Sequence, residues 1–383
     1  MIVLHLTHSS IVSDSRIHRS LEASRKFFSQ TNLASVEDTD EGGLLAEGVV
    51  HHSISFKQTS VLPALLKRLR NALKFVWSFR EVCIEVRPHV IHCHSFPSLL
   101  PAFLYRLTSP AILIYDAHEL ESGRSGLSNL AAKFVTKLEL VSWRYVDGLI
   151  SVSDKIVDWY IRRFGEKQSE VIRNIPDPRT YCKHDHTDLR TLYSIPSNYT
   201  VSVYVGILEP NRGIELVLNA FQSVQLAGGK HALVFLGQGS LEKEILRAQQ
   251  VNKLILLHGL VAPGCIVPII KSADVGLMLT RNDALSEDFA LPNKLFQYVD
   301  AGLHVVGTDL EVVRATIGNL AWASLIDYAP QQLATWLGAN EIIAKRRRSQ
   351  PGELGSWIEE EEKLVSFYSW LSNKATTLDR ENS

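Results

Sequence analysis

Short apolar runs alternate along this chain with stretches of helical periodicity. Residues 2–6 carry the continuous apolar pattern of a buried strand, and residues 17–28 repeat apolar side chains every three to four positions, as a helix does. Residues 90–92 and 112–115 read as further buried strands, separated by a helical stretch at 99–107. Residues 148–152 form another strand pattern and 155–164 the helix after it. This rhythm predicts a mostly parallel sheet with helices on both faces.

The rhythm stops at Pro176 and Pro178, which oppose a continuing helix, and at the polar run from Lys183 to Asp188. It then restarts. Strands are predicted at 201–207, 233–236, 254–257, 275–279 and 304–306, and helices at 214–225, 241–249 and 292–299. A last helix falls at 364–371, with the final dozen residues expected to fray. The predicted organisation is one α/β domain over 1–178, a second over 197–355, and a closing helix and tail over 356–383. Ligands of such sheets bind beyond the carboxyl ends of the strands, so the strand-to-helix loops are where chemistry is expected.

Composition narrows the classes. Hydrophobic residues make up 45% and charged residues 21%, which fits a folded protein rather than a disordered one. Forty basic residues against forty-one acidic ones leave no surplus for a nucleic-acid partner. The four cysteines are scattered, with no Cys-x-x-Cys pair, so a disulfide scaffold and a cysteine zinc site are not expected, and a reducing compartment is. No signal peptide or transmembrane stretch is visible, which points to a cytoplasmic protein.

The most informative segment is 290–302. Pro292 suits a helix start, and the amides of Asn293, Lys294 and Leu295 would then face outward at the positive end of the helix dipole, an anion site to which Lys294 adds a full charge. The loop 206–213 follows a strand and opens a helix. Gly206 permits close backbone approach, and Arg212 offers a forked contact for a diphosphate. Gly237 and Gly239 form a third glycine loop without the full dinucleotide fingerprint, and no P-loop is present. In the first half, Asp116, His118 and Glu119 cluster at a strand end, as site residues do. His92 and His94 stand two apart on a strand with no third ligand in view, so no metal is expected there.

Together, in their order and spacing, these fragments resemble the family-4 retaining glycosyltransferases: 90–94, 114–119, 151–153, 171–177, 205–213, 235–239, 273–275 and 291–302. The resemblance implies the α/β GT-B architecture, with two Rossmann-like domains facing across a cleft and a C-terminal helix packing back on the N-terminal domain. It implies a nucleotide-diphosphate sugar, UDP- or GDP-linked, as donor, a glycan or lipid-linked acceptor, and neither cofactor nor metal. The donor would be held by Gly206, Arg212, Gly237, Gly239, Pro292, Asn293, Lys294, Leu295 and Gln297. Ser9, Ser10, Asp14, Arg16, His94 and Glu119 would border the acceptor.

The family's two glutamates, eight positions apart, fall here at Phe289 and Gln297. Glu287 or Asp288 would then reach the donor sugar, with His118 positioning the reactants. This departure keeps open a non-catalytic protein that binds a nucleotide sugar or serves as a partner subunit. Residues 62–82 combine apolar side chains at helical spacing with a basic face, a pattern that suits either a core-facing helix or the inner face of a membrane. The basic run 345–348 reads as a solvated helix face.

Overall fold

The computed structural model describes residues 1–8, 14–36, 47–55, 64–183, 188–339 and 348–381, with the backbone alone for 64–69 and 374–381. Ser9, Ser10 and Lys345 to Arg347 lie outside the described residues. Two compact units are present: Met1–Arg173 with Ile358–Ser383, and Asn174–Trp357.

The first unit holds a seven-stranded sheet. Its strands are β1 (Ile2–Leu6), β2 (Gln30–Val36), β3 (Val49–Ile54), β4 (Val90–His94), β5 (Ile112–Ala117), β6 (Gly148–Ser151) and β7 (Gln168–Val171), in the order β3-β2-β1-β4-β5-β6-β7. All neighbours are parallel. The second unit holds β8 (Thr200–Val205), β9 (His231–Leu236), β10 (Ile255–Gly259), β11 (Val275–Met278), β12 (His304–Thr308) and β13 (Ala323–Ile326), also all parallel, in the order β10-β9-β8-β11-β12-β13. In each sheet the strand order reverses once, between β1 and β4 and between β8 and β11, and such switch points open ligand crevices. The central strands β4, β5, β8 and β9 are buried along their whole length, which explains why apolar residues dominate them, with His92, His94 and Asp116 among the buried polar exceptions.

Four strands escape the apolar pattern. β3, β7 and β13 are edge strands, where one side is open and polar residues cost little, and β2 places Asn32 in the sheet by a hydrogen bond to the Val3 carbonyl (3.3 Å). β8 ends at Val205, two residues before the predicted limit, because Gly206 turns with φ +134°.

The final helix is longer than its apolar core suggests, running Trp357–Glu381 through most of the stretch expected to fray. Its start is anchored by Glu360, fully buried, which accepts from the Arg173 guanidinium at 2.9 and 3.0 Å and from the Arg173 amide at 2.8 Å. Phe367 and Leu371 fill the space above Gly148, where any added Cβ would lie 2.7 Å from the Phe367 ring. Tyr368 packs on Phe27 and Phe28. The helix thus belongs to the first unit's core.

The scattered cysteines are not all unpaired. Cys182 and Cys265, 83 residues apart, form a disulfide with their Cα atoms 5.1 Å apart, while Cys83 and Cys93 are buried and free. Proximity made by the fold is invisible in spacing, and the pair withdraws the cysteine argument for a reducing compartment.

On the face of β5 opposite Asp116, Tyr115 (2.9 Å) and Tyr160 (2.5 Å) both donate to one oxygen of Glu139. Burial pushes the Glu139 carboxyl up to about 7, against the pull of both tyrosine hydrogen bonds. A folded-state value above the unfolded one means the protonated form favours folding. That contribution is complete below about pH 4.5 and is lost as pH rises through 7. Glu139→Gln, neutral throughout, should therefore gain roughly 3 kcal/mol on wild type between pH 4.5 and 8.5, read by urea unfolding at both pH values. An unchanged difference would show that Glu139 does not titrate in this window.

Candidate functional site

Two constellations stand at strand ends, one in each unit. In the first unit, parallel register pairs His5 with His92 and His94 with Asp116. Because side chains alternate along strands, His5, His92, His94 and Asp116 share one face of the sheet. His118 lies just beyond β5 and is 18% exposed, whereas the other three histidines are fully buried. The imidazoles of His92 and His94 stack at 4.3 Å between centroids. Ser95 follows His94 with φ +65°, a left-handed conformation that seats the next helix directly on the strand end.

Asp116 is the charge centre. The guanidinium of Arg16 grips it twice (3.0 and 2.7 Å) and also donates to the Ile172 carbonyl (2.7 Å). Burial alone would raise this carboxyl, but Arg16, then His118 and His92, hold it well below the usual carboxylate range. Burial, aided by His92, lowers His94 to about 3, and burial lowers His5 and His92 as well. These imidazoles are neutral at pH 7.

Several predicted acceptor residues have structural duties here. Asp14 caps the helix Ser15–Phe27, accepting from the amides of Arg16 (3.1 Å) and Ile17 (3.4 Å). Arg16 is buried on Asp116, and His94 has no exposed surface, so neither reaches a bound acceptor directly. Glu119 remains partly exposed and pairs with Arg124 at 3.6 Å. Of this group, Asp14 and Glu119 keep accessible surface, as does the neighbouring His118.

In the second unit, the helix Asn293–Asp300 aims its first turn at the end of β8. The Lys294 ammonium stands 4.1 Å from the centroid of the Tyr204 ring, a cation–π contact, and a Cβ on Gly206 would lie 3.7 Å from it. Tyr298, one turn later on the same face, fixes this placement. Its hydroxyl accepts from the Val205 amide (3.0 Å) and donates to the Leu277 carbonyl (3.0 Å), and its ring fills the space left by Gly276. Burial, then the charge of Arg212, lowers the Lys294 ammonium to about 7.

The other predicted donor residues divide. Pro292 is the residue before the helix rather than its first turn, and the Leu295 amide bonds back to the Pro292 carbonyl (3.0 Å). The outward amides therefore reduce to those of Asn293 and Lys294. Gly237 and Gly239 act by packing. A Cβ on Gly237 would fall 1.9 Å from the Gly206 carbonyl oxygen, and one on Gly239 would fall 2.4 Å from that of Leu208. The two loops are further zipped by Leu208 to Gln238 (2.9 Å) and by Glu209 to Ser240 (2.8 and 2.5 Å). Arg212 is exposed beside Gly213, and Gln297 is half-buried. Asp288, predicted to reach the sugar, instead accepts from the Glu311 amide (2.9 Å) at the start of the helix Glu311–Ile317, while Glu287 is half-buried. Tyr204, Tyr298, His5 and the Arg16–Asp116 pair escape sequence reasoning. The only prior signal was the four-residue spacing from Lys294 to Tyr298.

Two doubly wound parallel units, with a lysine-bearing helix start at the end of β8, form a Rossmann-like α/β architecture of the kind that binds nucleotides. The chain matches the model described as Glycosyltransferase Family 4 over residues 40–179 and that described as Glycosyl transferases group 1 over residues 200–336, and it belongs to the family-4 glycosyltransferases. It is a retaining transferase that takes its sugar from a nucleotide sugar, and such enzymes typically work without a metal.

No curated protein matches in sequence. Among solved structures, HepE from Anabaena, in complex with UDP and glucose, is 14% identical with a TM-score of 0.69, the match covering 96% of this chain and 99% of that one. Sucrose-phosphate synthase from Thermosynechococcus elongatus is 14% identical with a TM-score of 0.68, covering 99% and 98%. The lipopolysaccharide outer core galactosyltransferase WaaB is 17% identical with a TM-score of 0.58, covering 99% and 100%. At these identities the likeness shows the shared GT-B fold.

Proposed function

We propose that this chain transfers a sugar, with retention, from a UDP- or GDP-linked donor to a glycan or lipid-linked acceptor in surface polysaccharide or glycolipid assembly. The observation that carries this reading is the Lys294 ammonium held over Gly206 at the end of β8 by Tyr298. There it would neutralise a diphosphate leaving group together with Arg212 and the first amides of the helix, the work a metal ion does elsewhere. Gln297 replaces the family glutamate as acceptor for a ribose hydroxyl. Glu287 is the nearby carboxyl assigned to the sugar, and His118 holds a sugar hydroxyl rather than acting as a base. HepE, solved with UDP, favours a UDP-linked donor.

Thermal-shift titration with UDP-, GDP-, ADP- and CMP-sugars in EDTA tests this, since binding to the native state raises its melting temperature. A shift with one nucleotide family is expected. No shift with any of them would favour the non-catalytic reading, for which Phe289 and Gln297 are the motivating residues.

Among the described residues no helix is long and apolar enough to cross a membrane. The helix Ala64–Val86 nevertheless exposes Leu73 (64%) and Trp77 (60%) beside Arg70, Lys74 and Arg80, while Phe79 and Cys83 face the core. That arrangement supports peripheral contact with an anionic inner membrane face. Trp77→Asp should lower the fraction bound to anionic vesicles several-fold in a flotation assay without lowering the melting temperature. Equal flotation of both proteins would assign this helix no membrane role.

A further inference from the structure

We propose that His94 Nδ1, His118 Nε2 and Asp116 Oδ2 form a binding site for a zinc-type divalent cation. These three atoms stand 3.3, 3.4 and 3.4 Å from one another. A tetrahedral ion with bonds of about 2.0–2.1 Å spaces its ligands about 3.3–3.4 Å apart, so one ion would reach all three. Of the pair His92 and His94 only His94 takes part; its two partners come from the neighbouring strand, Asp116 by register and His118 just beyond the strand end.

The surrounding hydrogen bonds leave His94 Nδ1 as a bare lone pair. The Ser24 hydroxyl donates to the Ser20 carbonyl at 2.7 Å, so its oxygen accepts from His5 Nε2 (2.7 Å). His5 Nδ1 then carries no proton and accepts from His94 Nε2 (3.0 Å). His94 Nδ1 therefore faces the Asp116 oxygen, 3.4 Å away, acceptor against acceptor. A proton on His118 can bridge one of these contacts; a cation would meet both imidazole nitrogens and a lone pair of Asp116 Oδ2 left over beside its bond from Arg16. The outer partners have the form seen around metal ligands. His5 fixes the tautomer and orientation of His94, and Arg16 donates to both Asp116 oxygens, to Oδ1 at 2.7 Å and to the ligand atom Oδ2 at 3.0 Å.

His118 keeps the site connected to solvent, which leaves a fourth position for water or an oxygen ligand. Two imidazoles and one carboxylate suit zinc, whereas calcium and magnesium take oxygen ligands. The Arg16 charge opposes the ion and sets the expected affinity in the micromolar rather than the nanomolar range. The site does not depend on the sugar-transfer reading, because cation binding is measured without donor or acceptor.

The test uses the full-length chain without an affinity tag, stripped with EDTA and titrated with zinc chloride against a chromogenic chelator. One zinc per chain is expected, with His118→Ala weakening it by more than about 100-fold, beyond the 10–100-fold typical of losing an outer partner. His118 is partly exposed and Arg16 remains on Asp116, so this variant should stay folded and melt cooperatively in EDTA. Cobalt(II) loaded in place of zinc should give the intense visible absorption of four-coordinate geometry, lost in His118→Ala. No binding by wild type would overturn the proposal. So would equal binding and the same cobalt spectrum in His118→Ala, which would put the ion elsewhere, for instance on the buried His5, His92 and His94.

Discussion

Replacing Arg16 with alanine is expected to cost about 3–5 kcal/mol of stability, because it leaves the carboxylate of Asp116 buried without its counter-charge. The pair is 4% and 1% exposed, so solvent cannot replace the lost partner. Arg16→Ala with Asp116→Ala should recover much of that loss, since the double variant carries no orphaned charge. Urea unfolding of both single variants and the double variant measures the coupling. In wild type the depressed Asp116 value places its contribution above the unfolded carboxyl value, to be lost only as pH falls through the still lower folded one. In Arg16→Ala burial acts unopposed by the guanidinium and raises the carboxyl, so the gap between variant and wild type should narrow on acidification towards pH 4. A constant gap from pH 7 to 4, or additive single losses, would mean that Arg16 acts by packing rather than by charge.

The second large effect lies at Lys294. Lys294→Ala should weaken nucleotide-sugar binding by roughly 10–100-fold, the 1–3 kcal/mol expected of a charge-assisted bond to phosphate. Because burial and Arg212 bring the ammonium to about 7, a growing share of the free protein has a neutral lysine as pH rises. Donor affinity should accordingly fall between pH 6.5 and 8.5, by up to about tenfold per pH unit. Lys294→Arg keeps its charge throughout and should bind with little pH dependence. Calorimetric titration of the three proteins at both pH values decides this. A pH-independent wild type whose affinity survives Lys294→Ala would remove Lys294 from the diphosphate and, with it, the main support for the donor site.

How much was readable beforehand follows from where each residue's constraint comes from. The central strands are legible because burial on both faces favours a continuous apolar run, as in residues 112–115 and 232–236. The helix start at Pro292 is legible because its chemistry is local. Edge strands such as Gln168–Val171 are not, since one open side relaxes the pattern. In sequence Gly237 and Gly239 suggest a ligand-facing loop, yet their tightest demands come from the carbonyls of Gly206 and Leu208, some thirty residues away in the chain. By position Asp288 suits a sugar ligand, but the amide it caps belongs to the helix Glu311–Ile317, more than twenty residues on.

Local sequence therefore determined the α/β class, the two-part organisation, the family and the anion-ready first turn at Lys294. Each depends on side-chain periodicity or on residues within a few positions of one another. Only the tertiary structure decided that Arg16 belongs to Asp116, that His94 is sealed behind His118, that Tyr298 pins Lys294 over Gly206, and that Cys182 meets Cys265. Those pairings join residues from different strands and helices, and only the strand order and register of the folded sheets, which local periodicity does not encode, bring them within bonding distance.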